Sequence, residues 1–191
     1  PFIAIARHLG GLGLSAPERL RLVLELSQSA SGPRSGMIST SVQALNQPIP
    51  KVDTLRQRGL ELAAGKTLDP QDIITWLVEA GFERTDSVDY PGQFAHRGGI
   101  LDIFAPVSLA STGSSVSEPQ AVRVEFFGDQ IESIRLIDLD TQRSGEALKQ
   151  ITLVAAVGQS LSIAQATELF INVLPPETIV VLEEPTQIAE V

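Results

Sequence analysis

The sequence predicts an α/β domain interrupted by a small inserted α+β module built on an antiparallel meander. Three observations point there. Helix and buried-strand patterns occupy both ends of the chain, the apolar period switches to two from Phe82, and it shifts again after Arg143. The expected segments are 1–46 for the first part of the α/β domain, 47–150 for the module and 151–191 for the return.

Taken in order, residues 17–29 (PERLRLVLELSQS) read as a helix, with Pro17 in the first turn and Leu20, Val23 and Leu24 at helical spacing. SASGPRSG is a loop by composition. Met37–Val42 reads as a short buried strand, stopped by the PIP at 48–50. Residues 51–64 fit either type: Val52, Leu55 and Leu62 suit a helix, whereas Leu60, Leu62 and Ala64 alternate like a strand. The helix at 70–80 has the clearest signals. Asp69 can cap it, Pro70 suits its first turn, and Gly81 can end it in the left-handed conformation. Ile73, Ile74, Leu77 and Val78 form its expected buried stripe.

Strands are then expected at 82–88, 93–97, 100–104, 122–127 and 131–139, with the Ser-rich segment 107–119 as a surface loop. After Arg143 the pattern gives a strand at 150–156, a helix near 162–173 and a buried-type strand at 178–182. The chain starts at Pro1 and ends on what reads as a helix start, IAEV, so a piece of something longer is expected.

Composition narrows the function. With 43% apolar residues in 191, a packed core is affordable; a net charge of −9 disfavours polyanion binding by the chain as a whole. The absence of cysteine excludes disulfides and thiolate metal sites and is compatible with a cytoplasmic protein. No apolar run reaches the roughly 20 residues of a membrane span, and no signal peptide is visible.

Candidate chemistry is sparse. Gly65-Lys66-Thr67 matches the end of a phosphate-binding loop, but the position that needs the first glycine is Leu60, and an ordinary turn is the reading. Gly10–Gly13 lacks dinucleotide-loop spacing. His8 and His96 have no companion ligands, so no metal site is expected. Most carboxylates fall on the wet side of strands. Asp102, set among Ile100, Leu101, Ile103 and Phe104, is the exception, and a bond to backbone in the Gly98-Gly99 turn is one use for it.

The strand 122–127 is more informative. Period two sends Val122, Val124 and Phe126 to one side and Arg123, Glu125 and Phe127 to the other. If the first set faces the core, an arginine and an aromatic share an outer face, the composition of a binding hot spot. Alternatively both faces are buried and Arg123 pairs with Glu125 or Asp102. The pattern alone leaves both open.

The words PGQFAHRGGILDIF and RVEFFGDQIESIRLID resemble the UvrA-interacting domain common to UvrB and the transcription-repair coupling factor. Thr141-Gln142-Arg143-Ser144 and the passage GMISTSVQALNQPIP are similar to the coupling-factor branch, whereas UvrB tends to a DPLTG-type turn at the first site. The likeness is strong over 36–155. It implies a degenerate helicase-like α/β domain, without its phosphate loop, interrupted by a module that recruits UvrA for nucleotide excision repair. It further implies no catalysis and no cofactor in this segment. ATP and magnesium would belong to motor domains elsewhere in a longer protein, whose other partners would be RNA polymerase and DNA.

Residue by residue, the family's UvrA-contacting arginine of the xRG word falls on Arg97, and its partner arginine and aromatic fall on Arg123 and Phe127. This favours the outer-face reading. Glu125 shares that face, and Arg84 matches a basic position used by UvrB. The arginine that UvrB carries two residues before Arg97 is here Ala95, a departure that puts a UvrB-like contact there in doubt. Arg97, Arg123 and Phe127 are all expected to be dispensable for folding.

Overall fold

A computed structural model of the chain describes residues 2–6, 16–27, 36–42, 45, 48–57, 59–109, 116–117, 119–154 and 167–182. His8, Gly10–Gly13 and the C-terminal IAEV lie outside them. The architecture is mixed α/β, rich in strands with few helices. It divides into a unit formed by Pro1–Val52 with Ile163–Val191, and a contiguous unit Asp53–Ser162 inserted between them.

In the outer unit, β1 (Phe2–Ala6) runs parallel between β2 (Gly36–Thr40) and β15 (Ile179–Leu182). Helix α1 (Ala16–Ser27) contributes Val23 and Leu26 to a core with Ile38, Leu45, Ile49 and Phe170. β15 lies at one edge of this sheet and is exposed at all four residues, not buried as its apolar run suggests. The PIP segment does not stop a strand but is one. β3 (Pro48–Pro50) pairs antiparallel with β14 (Thr167–Leu169) in a two-stranded ladder, where a missing N–H can point away from the partner. β14 and the 3-10 turn Phe170–Val173 occupy much of the stretch expected to be helical; 155–166 lie outside the described residues.

The inserted unit opens within α2 (Val52–Gln57), whose first residue belongs to the outer unit, and continues to β4 (Leu60–Ala63), so the ambiguous stretch holds a helix and then a strand. Helix α3 (Pro70–Glu79) has its expected signals in place. The Asp69 carboxylate accepts the Gln71 N–H at 2.8 Å. At the other end Gly81 has φ +87°, and the N–H groups of Gly81 and Phe82 donate to Val78 and Leu77 carbonyls in a Schellman arrangement. Ile73 and Leu77 are buried and Ile74 is partly so. Val78 is exposed, because the 100° step per residue carries it past the stripe centred on 73 and 77.

The meander is a six-stranded sheet in the order β12-β11-β10-β7-β6-β5. Its strands are β5 (Glu83–Arg84), β6 (Gln93–Arg97), β7 (Ile100–Ala105), β10 (Gln120–Phe127), β11 (Gln130–Asp138) and β12 (Arg143–Leu148). The strand expected over 82–88 reduces to the two residues of β5, parallel to β6. Between the meander strands, β8 (Ser108–Leu109) and β9 (Val116–Ser117) give the Ser-rich segment strand structure that its composition conceals. They join β4 and β13 (Gln150–Leu153) in a four-stranded sheet.

One face of the meander buries Phe94, Leu101, Ile103, Val122, Val124, Ile131 and Ile134 against Ile73 and Leu77 of α3 and against Leu62, Ile151 and Leu153 of the second sheet. Burial of this many large side chains, each contributing about 1.5–3 kcal/mol, dominates the stability of the unit. Pairing within the described residues bears on both junctions between the units. The β3–β14 ladder keeps 48–50 in the outer unit, while the β4–β13 ladder keeps 150–153 in the inserted one.

Candidate protein-interaction face

The opposite face of the meander is covered only in part. Val88, Ala95, Phe104, Ala121 and Ile137 form a small second cluster there. Much of the rest is polar, and its layout follows from register and alternation. One row runs Ala95, Asp102, Arg123, Arg135 across β6, β7, β10 and β11; the next runs Arg97, Ile100, Glu125, Ser133.

Two hairpin turns border these rows at the same end of the sheet. Gly98-Gly99 joins β6 to β7 and Gly128-Asp129 joins β10 to β11, with positive φ at Gly98 (+59°) and Gly128 (+61°), as two-residue hairpins require. The turns are tied together: Phe126 N–H donates to the Gly99 carbonyl at 2.8 Å, and a Cβ on Gly99 would lie 2.9 Å from the Phe126 carbonyl oxygen. Arg97 and Phe127 each immediately precede one of these turns. Phe127 is 79% exposed.

Asp102 is the centre of the polar rows. Its side chain is 1% exposed and accepts from two arginines. Arg123 forms a fork, Nε to Oδ1 at 2.7 Å and Nη2 to Oδ2 at 2.8 Å, and its Nη1 donates to Ser144 Oγ at 3.3 Å. Arg97 Nη2 donates to the same Oδ2 at 3.0 Å. The Asp102 hydrogen bonds, opposed by burial, hold the Arg123 guanidinium still more firmly protonated than an ordinary arginine. Glu125 is engaged elsewhere, accepting from Ser133 Oγ at 2.7 Å. Of the two partners that sequence allowed Arg123, register selects Asp102 directly across the ladder. A bond from Asp102 to backbone in the Gly98-Gly99 turn is not what its burial serves.

Arg97, Arg123, Glu125 and Phe127 thus share one face. Arg84 does not join them: in the β5–β6 ladder it stands opposite Phe94, whose side chain belongs to the main core, so alternation puts it on the other face at the sheet edge. Sequence reasoning passed over Arg135. It is exposed, stands opposite Arg123, and donates weakly to the Gly145 carbonyl at 3.5 Å. Alternation along IESIRLID would have found it, since Ile131 and Ile134 bracket the bulge that resets the phase.

Gly65-Lys66-Thr67 is a turn docked on β11. The N–H groups of Gly65, Lys66 and Leu68 donate to the carbonyls of Ile131, Ala63 and Asp129, and Lys66 Nζ reaches the Glu61 carbonyl at 3.3 Å. Donors that would wrap a phosphate are directed into the fold. Among the described residues no cluster of three His, Cys, Asp or Glu could hold a metal ion, and no helix is long and apolar enough to cross a membrane.

The family model described as UvrB interaction domain matches residues 60–158, which span the whole meander and both turns. The chain belongs to the UvrB interaction domain family. It is 34% identical over 139 residues to the transcription-repair-coupling factor of Myxococcus xanthus, covering 73% of this chain and 10% of that protein. Identity to the transcription-repair-coupling factors of Mycobacterium tuberculosis and Bacillus subtilis is 35% over 147 residues and 28% over 142. This UvrB-type interaction domain and its flanks therefore span about a tenth of the length of the curated relatives they match.

Proposed function

We propose that the inserted unit is a docking module that recruits UvrA, and that its contact surface is the outer face of the meander around Arg97, Glu125 and Phe127, with Arg135 extending it. One observation carries this reading: within the segment that matches the family, a phenylalanine 79% exposed shares its sheet face with a guanidinium cluster, at the end where two hairpin turns are hydrogen-bonded together. Exposed aromatics and arginines on pre-organised backbone are the residues from which interface anchors are made. A net positive group on a chain of net charge −9 also favours a partner surface that is locally acidic.

On this reading the segment performs no catalysis and needs no cofactor. The flanking unit is the remnant of a helicase-like domain, and ATP, magnesium, RNA polymerase and DNA concern other parts of a longer coupling factor. Calorimetry of the chain with purified UvrA tests the proposal. Saturable binding that Phe127→Ala and Arg97→Ala each weaken roughly thirtyfold supports it. Absence of binding by the unaltered chain refutes it.

A further inference from the structure

We infer that the arginines of this face divide their labour: Asp102 and Arg123 are positioning residues, and the guanidinium that meets the partner is that of Arg97. The inference rests on the docking reading above and adds to it what Asp102 and Arg123 do for the Arg97 contact.

Arg123 has little left to offer. Its Nε, Nη1 and Nη2 all donate within the protein already, and its side chain is 14% exposed. Asp102, at 1% exposure, cannot touch a partner at all. Arg97 differs on both counts. It spends only Nη2 on Asp102, and 58% of its side chain is exposed. A free guanidinium on a strand end samples many rotamers, and ordering it on binding costs affinity. The bond to Asp102 Oδ2 removes that cost in advance, while Arg123 holds the carboxylate in place by its fork.

Ala95 fits the same scheme. It faces Asp102 across the β6–β7 ladder, two residues before Arg97, and is itself buried. An alanine there leaves Asp102 to Arg97 and Arg123. Two guanidinium groups on one carboxylate leave one positive charge, at the exposed Arg97. The ligand chemistry this selects is a carboxylate on the partner's surface, gripped by the outward edge of the Arg97 fork.

A double-mutant cycle on the full chain, read as affinity for UvrA, tests this. In the unaltered background Arg97→Ala should weaken binding roughly thirtyfold. The neutral pair Asp102→Asn with Arg123→Gln keeps two hydrogen-bonding side chains in the pocket and should weaken binding roughly tenfold. On that background Arg97→Ala should cost less than about threefold more, because Arg97 has already lost its anchor. Equal Arg97 costs in both backgrounds, or a neutral pair that binds as the unaltered chain does, would overturn the inference while leaving the docking reading intact. An unaltered chain that fails to bind UvrA removes both. Should the neutral pair not fold, the unaltered chain labelled with nitrogen-15 arginine decides. The Arg123 Nε–H should be protected from exchange before partner is added and unchanged after, while the Arg97 Nε–H shifts or gains protection only with partner. The reverse assignment sinks the inference.

Discussion

Phe126 and Phe127 are neighbours on β10 and face opposite sides of the sheet: Phe126 packs partly buried against the main core, and Phe127 projects into solvent. The β10–β11 register shift beside Phe126 does not disturb this alternation, because the extra residue lies in β11. Phe127→Ala should leave the melting temperature within about 1 °C, since the side chain it removes is mostly exposed. Phe126→Ala should lower stability by about 2–3 kcal/mol, below the range for a fully buried Phe because Phe126 is only partly covered. Thermal melts of the two variants compare them directly; an unfolded Phe127→Ala with a silent Phe126→Ala would invert the strand.

Arg123, which the resemblance led one to expect dispensable for folding, should prove costly to remove, because it forks onto the buried Asp102 carboxylate. Arg123→Ala strands a buried carboxylate with only the Arg97 bond, and should cost about 3–5 kcal/mol in urea unfolding. Arg97→Ala, removing an exposed partner from a carboxylate still held by a fork, should cost no more than about 1 kcal/mol. Equal costs for the two would mean that Asp102 is not held as the distances imply.

Gly99 is required by close approach rather than by a left-handed backbone. Gly99→Ala would put a methyl against the Phe126 carbonyl and should destabilise the chain by about 1–3 kcal/mol, with backbone shifts that reach both hairpin turns. An amide spectrum unchanged at residues 97–100 and 125–128 would contradict this.

A pH effect follows from Asp138. Its carboxylate is held below the usual range chiefly by the Thr141 backbone N–H, which donates to it at 3.0 Å. A carboxylate with a depressed folded-state pKa stabilises the fold at pH above its ordinary value, and that contribution vanishes as pH falls through the folded value. Asp138→Ala should therefore melt below the unaltered chain at neutral pH, with the gap closing below about pH 4. A gap that stays constant to about pH 2.5 would assign the loss to something other than charge.

Nucleotide should find no cradle in the turn at Gly65. Calorimetric titration with ATP and magnesium is expected to give no saturable heat, and Lys66→Ala to change nothing. Binding abolished by Lys66→Ala would restore the phosphate-loop reading.

Much of the meander was legible because alternation is a consequence of one-sided burial. β6, β7, β10 and β11 fall within about two residues of their expected bounds, and the parity of Val122–Phe127 is as alternation gives it. β12 was missed because Ser144-Gly145-Glu146 has no apolar phase; an edge strand pairs through its backbone and needs none. β3 and β14 were missed because their pairing overrides local signals, prolines in one case and helical spacing in the other. For the face itself, sequence placed Arg123, Glu125 and Phe127 together by parity, and Arg97 by resemblance. What it lacked was register, which alone pairs Asp102 with Arg123 and gives Glu125 to Ser133.

The ladder between β4 and β13 sets the first and last described strands of the inserted unit side by side and antiparallel. A segment whose first and last described strands are paired in this way is suited to splicing into a surface loop of a host. Its core, turns and arginine cluster are all made from its own residues, so they would travel with it unchanged. In topological terms it is a graft, and one insertion would be enough to give an unrelated protein the same polar face.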